Sequence, residues 1–262
     1  MSQQEDETNL DPHLSFSPGF LAASPELTAW RAANTRPCCV LQVGGFRPGG
    51  EPTASHLGLS PVMRADEDWP VDLAGQPMQF IAQLNVAQAP WRPAALQDLA
   101  LLQLFVGEQF IESGSEAGTY AIRTYPSLEG LAAREQPPFR ERAWIAQGVE
   151  ARWQAPQDDH PCYDDGDMVL PEGLATFPDE AHGECRSGTK IGGYATSLQH
   201  EVQFYRYELN ADGEWCSSPL EPRYVLQIDS DGQAGLNWVD GGIVYLGRHP
   251  QTGVWSACCQ FH

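Results

Sequence analysis

Ser55-His56-Leu57-Gly58 and Thr189-Lys190-Ile191-Gly192 are two versions of one short segment, and the stretches downstream of them repeat as well. Phe80-Ile81-Ala82-Gln83-Leu84-Asn85 corresponds to Tyr224-Val225-Leu226-Gln227-Ile228-Asp229. Ala100-Leu101-Leu102-Gln103-Leu104 corresponds to Gly242-Ile243-Val244-Tyr245-Leu246. The order is the same, and the spacing nearly so: Gln83 and Gln103 lie 20 positions apart, Gln227 and Tyr245 18. A repeat of this kind constrains the fold strongly, because each unit must bury its apolar side against a neighbour. The blocks predict a β-dominated α+β fold, in which two related β-rich halves with few helices pack as one pseudo-symmetric unit.

Local signals fill in the rest. Ser24-Pro25-Glu26 reads as a helix start, with Leu27, Trp30 and Ala33 on one face and Arg36-Pro37 as its end. Strands are expected at 39–43, 79–85, 101–106, 119–125, 203–209, 224–229, 243–247 and 254–261, and the run 143–153 reads as one long bent strand. Asn210-Ala211-Asp212-Gly213, Asp229-Ser230-Asp231-Gly232 and Asp240-Gly241-Gly242 supply turns. The chain divides into a flexible tail at 1–12, an N-terminal β-rich half at 13–155, an acidic connector at 156–186 and a C-terminal β-rich half at 187–262.

An amide or carboxylate at a strand end can bond turn N–H groups. Gln83, Asn85, Gln227 and Asp229 are therefore expected to be structural, together with Gly58, Gly192, Gly193, Asp240, Gly241 and Gly242. A pocket between the halves, lined by those polar groups, is the competing interpretation and would make the protein a small-ligand binder.

Charge bounds the partners. Asp and Glu total 35 against 15 Lys and Arg, a net charge of −20, and Lys190 is the sole lysine. Nucleic acid and anionic membranes both demand basic residues, so neither is an expected partner; a basic protein is. The N-terminal sequence has no secretory pattern, no apolar run reaches membrane-spanning length, and the seven cysteines include two adjacent pairs, Cys38-Cys39 and Cys258-Cys259. Those features point to a reducing cytoplasm. The connector is densely acidic and holds no Lys or Arg from 153 to 185. It reads either as a solvated linker or as an arm that meets a basic partner. Its Asp158, Asp159, Asp164, Asp165 and Asp167, with Tyr194, Trp215 and Trp238 as aromatic anchors, are the candidate contact residues.

Catalytic signatures are missing. No Gly-x-Ser-x-Gly elbow and no phosphate-binding glycine loop occurs. His160, Cys162, His182 and Cys185 are zinc-ligand types, but their spacing matches no common zinc pattern. With Gly232 or Gly213 set at the sixth position of a calcium loop, neither the Asp229 nor the Asn210 turn has Glu at the twelfth. No enzyme, metal or cofactor is expected.

Ser55-His56-Leu57-Gly58 through Pro61, Asp68-Trp69-Pro70 and the 80–85 strand resemble the YwqG-like family of bacterial proteins of unknown function. Lys190-Ile191-Gly192-Gly193-Tyr194, the strand and turn at 226–231, and Trp238-Val239-Asp240-Gly241-Gly242 carry the second half of that resemblance. Leu59, Ala100 and Ala195 stand where the family usually has Gly, Gly and Pro. The resemblance implies a β-rich α+β fold without established catalytic residues. Some members are similar to type VI secretion immunity proteins. By that likeness this chain is expected to bind and neutralise an antibacterial toxin, a basic nuclease effector, by stoichiometric occlusion.

Overall fold

The first helix is explained by its ends. Pro25 has no N–H to leave unpaired at the first helical position, and Glu26 faces the positive end of the helix. Helix α1 (Pro25–Ala33) buries Leu27 and Trp30. Its last carbonyls are taken by side chains, Asn34 Nδ2 on Trp30 O and Thr35 Oγ1 on Arg31 O. The chain then turns directly into strand β1 (Arg36–Val43). A computed structural model describes this and the rest of the chain over residues 25–113, 116–138, 144–162, 185–209, 215–219 and 222–262.

The first half continues with β2 (His56–Leu57), β3 (Val62–Met63), β4 (Gln79–Leu84), β5 (Leu101–Val106), the short helix α2 (Phe110–Ser113), β6 (Tyr120–Tyr125), β7 (Ala132–Ala133) and β8 (Val149–Trp153). Then come β9 (Gln157–Asp159), β10 (Lys190–Gly192), β11 (Tyr205–Leu209), β12 (Trp215–Pro219), β13 (Arg223–Asp229), β14 (Ile243–Arg248) and β15 (Trp255–Gln260). One sheet runs β15-β14-β13-β10-β1-β8-β2-β4-β5-β6, with β9 pairing on β1 as its eleventh strand. β3 pairs with β7, and β11 with β12, in separate ribbons.

That strand order reads the same from either end once equivalent strands are matched. The centre lies between β1 and β8, where Gln42 faces Arg152. The first described strand, β1, therefore sits on the side of the C-terminal half, and β8 on the side of the N-terminal half. The halves join through a main-chain ladder.

The two edges of the sheet approach each other. The Tyr120 hydroxyl in β6 hydrogen-bonds the main chain of Ala257 and the side chain of Ser256 in β15, and burial pushes this phenol's pKa up. The enclosed core draws on both halves: Leu57, Leu84, Leu102 and Leu104 from the first, Ile191, Leu226, Val244 and Leu246 from the second. The outer faces carry their own aromatic and aliphatic clusters, Phe80 with Phe105 in one half and Tyr245 with Phe204 in the other. Covered on both faces, β4 and β5 are buried at every position.

The run 143–153 departs from the expected bent strand. Only Val149–Trp153 pairs in the sheet. Trp144 and Ile145 form a buried loop instead. The Trp144 N–H donates to Gln79 Oε1, and Asn237 N–H donates to Trp144 O. Gly148 lies so close under Leu59 that a Cβ there would meet Leu59 Cδ2 at 2.3 Å, so a side chain at that point would force Leu59 to shift. No helix among the described residues is long and apolar enough to cross a membrane.

Candidate functional site

Residues directly opposed in a ladder share a face of the sheet. In the first half, Glu150, His56, Gln83, Gln103 and Arg123 are opposed in series. In the second half the same series is Val40, Lys190, Gln227, Tyr245 and Cys258. The middle three of each series, His56, Gln83 and Gln103 and then Lys190, Gln227 and Tyr245, are buried, so each half has a short buried row of polar groups on its outer face. The backbone repeats with it: both β4 and β13 carry a register shift, between Phe80 and Ala82 and between Tyr224 and Leu226. Gly58 and Gly192, two residues after His56 and Lys190, both have φ of +71°.

The glutamines anchor the rows. Gln83 Oε1 accepts from Val62 N–H at 2.9 Å and from Gln103 Nε2 at 2.9 Å, while its Nε2 donates to the carbonyls of Pro52 and Ala54. Gln227 Oε1 accepts from Thr196 N–H at 2.9 Å and Tyr224 OH at 3.3 Å, while its Nε2 donates to Gly188 O and Thr196 Oγ1. Val62 and Thr196 lie at the same distance in sequence from Gly58 and Gly192, so the two amides do one job. The Asn85 N–H donates to Ser55 Oγ, as the Asp229 N–H does to Thr189 Oγ1.

Beside the anchors, the rows differ. Lys190 is wholly buried, and its ammonium donates to Asp159 Oδ2 at 2.8 Å, to Arg186 O and to Cys185 Sγ at 3.4 Å. Asp159, equally buried, also accepts from the N–H groups of His160, Arg186 and Tyr194. Gly193 is required for that last bond, because a Cβ at this position would meet Asp159 Oδ2 at 2.1 Å. Cys185 and Cys162 hydrogen-bond each other through their side chains. Charge, carboxylate and thiols converge where the chain leaves the sheet after β9 and returns before β10.

The model of the family described as a domain of unknown function, DUF1963, matches residues 55–251. That span holds His56, Gln83 and Gln103 as well as Lys190, Gln227 and Tyr245. The chain belongs to the DUF1963 family. The resemblance to YwqG-like proteins drawn from the repeated blocks is the same relationship. No curated protein matches the chain significantly. The DUF1963 match begins after β1, yet β1 completes the ladder of the second half through Cys38, Cys39 and Val40.

Among the residues that sequence reasoning offered as partner contacts in this DUF1963 protein, the structure withdraws several from the surface. Asp159 is held by Lys190 and the three N–H groups. Trp238 is in the core, its indole Nε1 donating to Ile228 O and its ring 5.8 Å from that of Trp144. Tyr194 is buried, with its hydroxyl on Asn34 O and the Arg36 guanidinium 4.1 Å over its ring. A buried aromatic that already packs and hydrogen-bonds at home cannot anchor a partner. Asp158 remains exposed, opposite Pro37 at the sheet edge. Trp215 opens β12 in the ribbon with β11. Asp164, Asp165 and Asp167 lie outside the described residues.

Asp229 Oδ2 accepts from Gly188 N–H, and Asp240, Gly241 and Gly242 form the turn into β14, where Gly242 O accepts from Ser230. The His160 ring lies 3.4 Å from Thr35 Oγ1. Among the described residues no group of three His, Cys, Asp or Glu side chains is placed to hold a metal ion. Sequence reasoning passed over Lys190 as a site residue. Its one signal was that the sole lysine of an arginine-rich chain stands in a repeated block.

Proposed function

We propose that this DUF1963 protein is a stoichiometric binder of a basic protein, and that the partner is a toxin it neutralises in the manner of an immunity protein. The supporting observation is where the cations go. Arg92 and Arg134 are spent on main-chain carbonyls, Arg123 reaches Glu67 and Asp68 O, Arg186 reaches Asp158 O, Lys190 is sealed in with Asp159, and Arg248 grips Asp98 with both nitrogens. Arg36, Arg64 and Arg152 lie over the rings of Tyr194, Tyr125 and Phe46. Most of the few basic side chains are thus used within the fold. Exposed carboxylates such as Glu26, Glu51, Asp66, Asp68, Asp158 and Asp240 set the outward field.

Such a field speeds encounter with a cationic surface by about 10- to 1000-fold, and the gain shrinks with salt. Occlusion needs a face of ~1,200–2,000 Å² in total, held by a small number of desolvated anchors. The resemblance to immunity members supplies the class of partner, and the charge supplies its sign.

The test is titration of the neighbouring toxin gene product with the purified protein, following both toxin activity and association rate. A 1:1 end point is expected, with an on-rate that falls at least about tenfold between 50 and 300 mM salt. Changing Asp158, Asp164, Asp165 and Asp167 together to Asn should slow association without changing the melting temperature. Asp159 is left out of that set because neutralising it would strike the buried ion pair. Full toxin activity in the presence of a molar excess of this protein would refute the proposal.

A further inference from the structure

The thiols beside Lys190 differ from those of Cys38, Cys39, Cys258 and Cys259. Cys38-Cys39 and Cys258-Cys259 are neighbours along a strand, so each pair points to opposite faces and cannot bridge. Burial pushes the Cys38 and Cys259 thiols up to about 12, and Cys258 higher still. Cys162 and Cys185 instead come from separate segments, touch through their sulfurs, are only half-buried, and are both unbridged. Lys190 Nζ is 3.4 Å from Cys185 Sγ, with its other protons committed to Asp159 and Arg186. Thr196 Oγ1 lies 3.6 Å from the same sulfur.

We propose that Cys162 and Cys185 form a reversible thiol–disulfide pair, with Cys185 as the attacking sulfur, Lys190 as its counter-ion, Cys162 as the resolving thiol and a hydroperoxide as the oxidant. Lys190 and the Cys162 thiol favour a negative sulfur, against the carbonyl oxygens of Tyr194 and Ala195 at 3.8 and 3.6 Å. The hydrogen bond from Cys162, followed by the charge of Lys190, lowers the Cys185 thiol below its ordinary pKa, although burial and Asp159 oppose this. The same hydrogen bond, with burial, raises Cys162 and keeps its proton in place.

In the first step the Cys185 thiolate attacks the peroxide. An S–O bond forms, the O–O bond breaks, and the alkoxide leaves as an alcohol after taking a proton, so that Cys185 becomes a sulfenic acid. In the second step the Cys162 sulfur attacks that of Cys185. The S–S bond forms, the S–O bond breaks, and hydroxide leaves with the Cys162 proton as water. Two thiols and one hydroperoxide give one disulfide, one alcohol and one water; a small dithiol reverses the change.

The disulfide would bind covalently two segments already tied non-covalently, by Arg186 N–H donating to the Asp159 carboxylate and Arg186 Nε donating to Asp158 O. The proposal concerns these side chains alone and stands or falls independently of toxin binding.

The experiment treats the intact purified protein with hydrogen peroxide at neutral pH, blocks free thiols by alkylation, and maps peptides by mass spectrometry. A Cys162–Cys185 linked peptide is expected, and dithiothreitol should abolish it. In the reduced protein Cys185 should alkylate about tenfold faster than any other cysteine. In Cys162→Ser, a sulfenic acid should be trapped by dimedone on Cys185. A bridge from either residue to Cys216, dimedone on Cys162 in Cys185→Ser at the same rate, or no linked peptide at all would overturn the proposal. Mapping on the wild-type chain decides the matter even if a serine variant fails to fold.

Discussion

The two halves share a backbone and differ in what they bury. His56 and Lys190 occupy matching places, each opposed to a glutamine that is bonded in the same four-fold way. Lys190 meets a carboxylate, a carbonyl and a sulfur. Neither ring nitrogen of His56 has a hydrogen-bond partner among the described residues, and the ring lies tilted against Phe80 at 5.4 Å. A buried position of this kind carries charge only where a carboxylate is brought into contact with it, as β9 brings Asp159 to Lys190, whereas the Glu150 carboxylate opposite His56 is taken by the N–H groups of Gly49 and Gly50. What has been kept between the halves is turn, bulge and amide; what has diverged is the ionisation of one side chain beside them.

The harshest way to break the comparison is to remove the cation. Lys190→Met leaves Asp159 buried without its counter-charge, and loss of one partner of a buried pair costs about 3–5 kcal/mol. The urea midpoint should fall accordingly, and adding Asp159→Asn should recover part of the loss. A single variant within about 1 kcal/mol of wild type would mean that Lys190 is no more than a space-filling residue.

The histidine gives the second contrast through pH. Burial, only partly offset by Glu150, lowers its pKa from the ordinary value of 6.5 to about 4. Between those values the unfolded chain binds the proton and the folded chain does not, so stability is full above pH 6.5 and declines as pH falls towards 4. The shift corresponds to roughly 3 kcal/mol. His56→Phe removes both the unpartnered nitrogens and the titration. It should match or exceed wild type by about 1 kcal/mol at pH 7 and keep a widening advantage down to pH 4. Chemical denaturation at the two pH values measures this, and parallel pH profiles for the two proteins would contradict it.

How far the sequence revealed these features depended on how local they are. The blocks around Gln83 and Gln227 showed the duplication directly, because apolar alternation and a glycine turn are properties of neighbouring residues. The β-dominated fold was readable for the same reason. The loop at 144–147 was not, since an apolar run looks alike whether it pairs in a sheet or packs beneath one, and the contacts that decide come from Gln79 and Leu59. Asp159 was hidden among many acids, because a run of like charges does not show which carboxylate turns inward. Trp238 and Tyr194 looked like anchors and are core, as aromatic residue type alone does not separate the two. Cys162 and Cys185 meet only because β9 and β10 flank the same strand, β1, a pairing across the fold that spacing cannot show.

The smallest expected difference lies between the two glutamines, and it tests whether equal bonding means equal worth. Gln83→Leu strands the N–H of Val62 and the carbonyl of Ala54 and takes a partner from Gln103, at sites shut off from solvent. An unsatisfied buried group costs about 1–3 kcal/mol, so this variant should fall near the upper end of that range. Gln227→Leu strands Thr196 N–H and Gly188 O and takes an acceptor from the Tyr224 hydroxyl, but all three residues are partly exposed and water can take the vacated bonds. Its loss should be nearer about 1 kcal/mol. Urea unfolding of the two variants side by side gives the order. The reverse order would show that the second row, with its added charge, depends on its amide more than the first does.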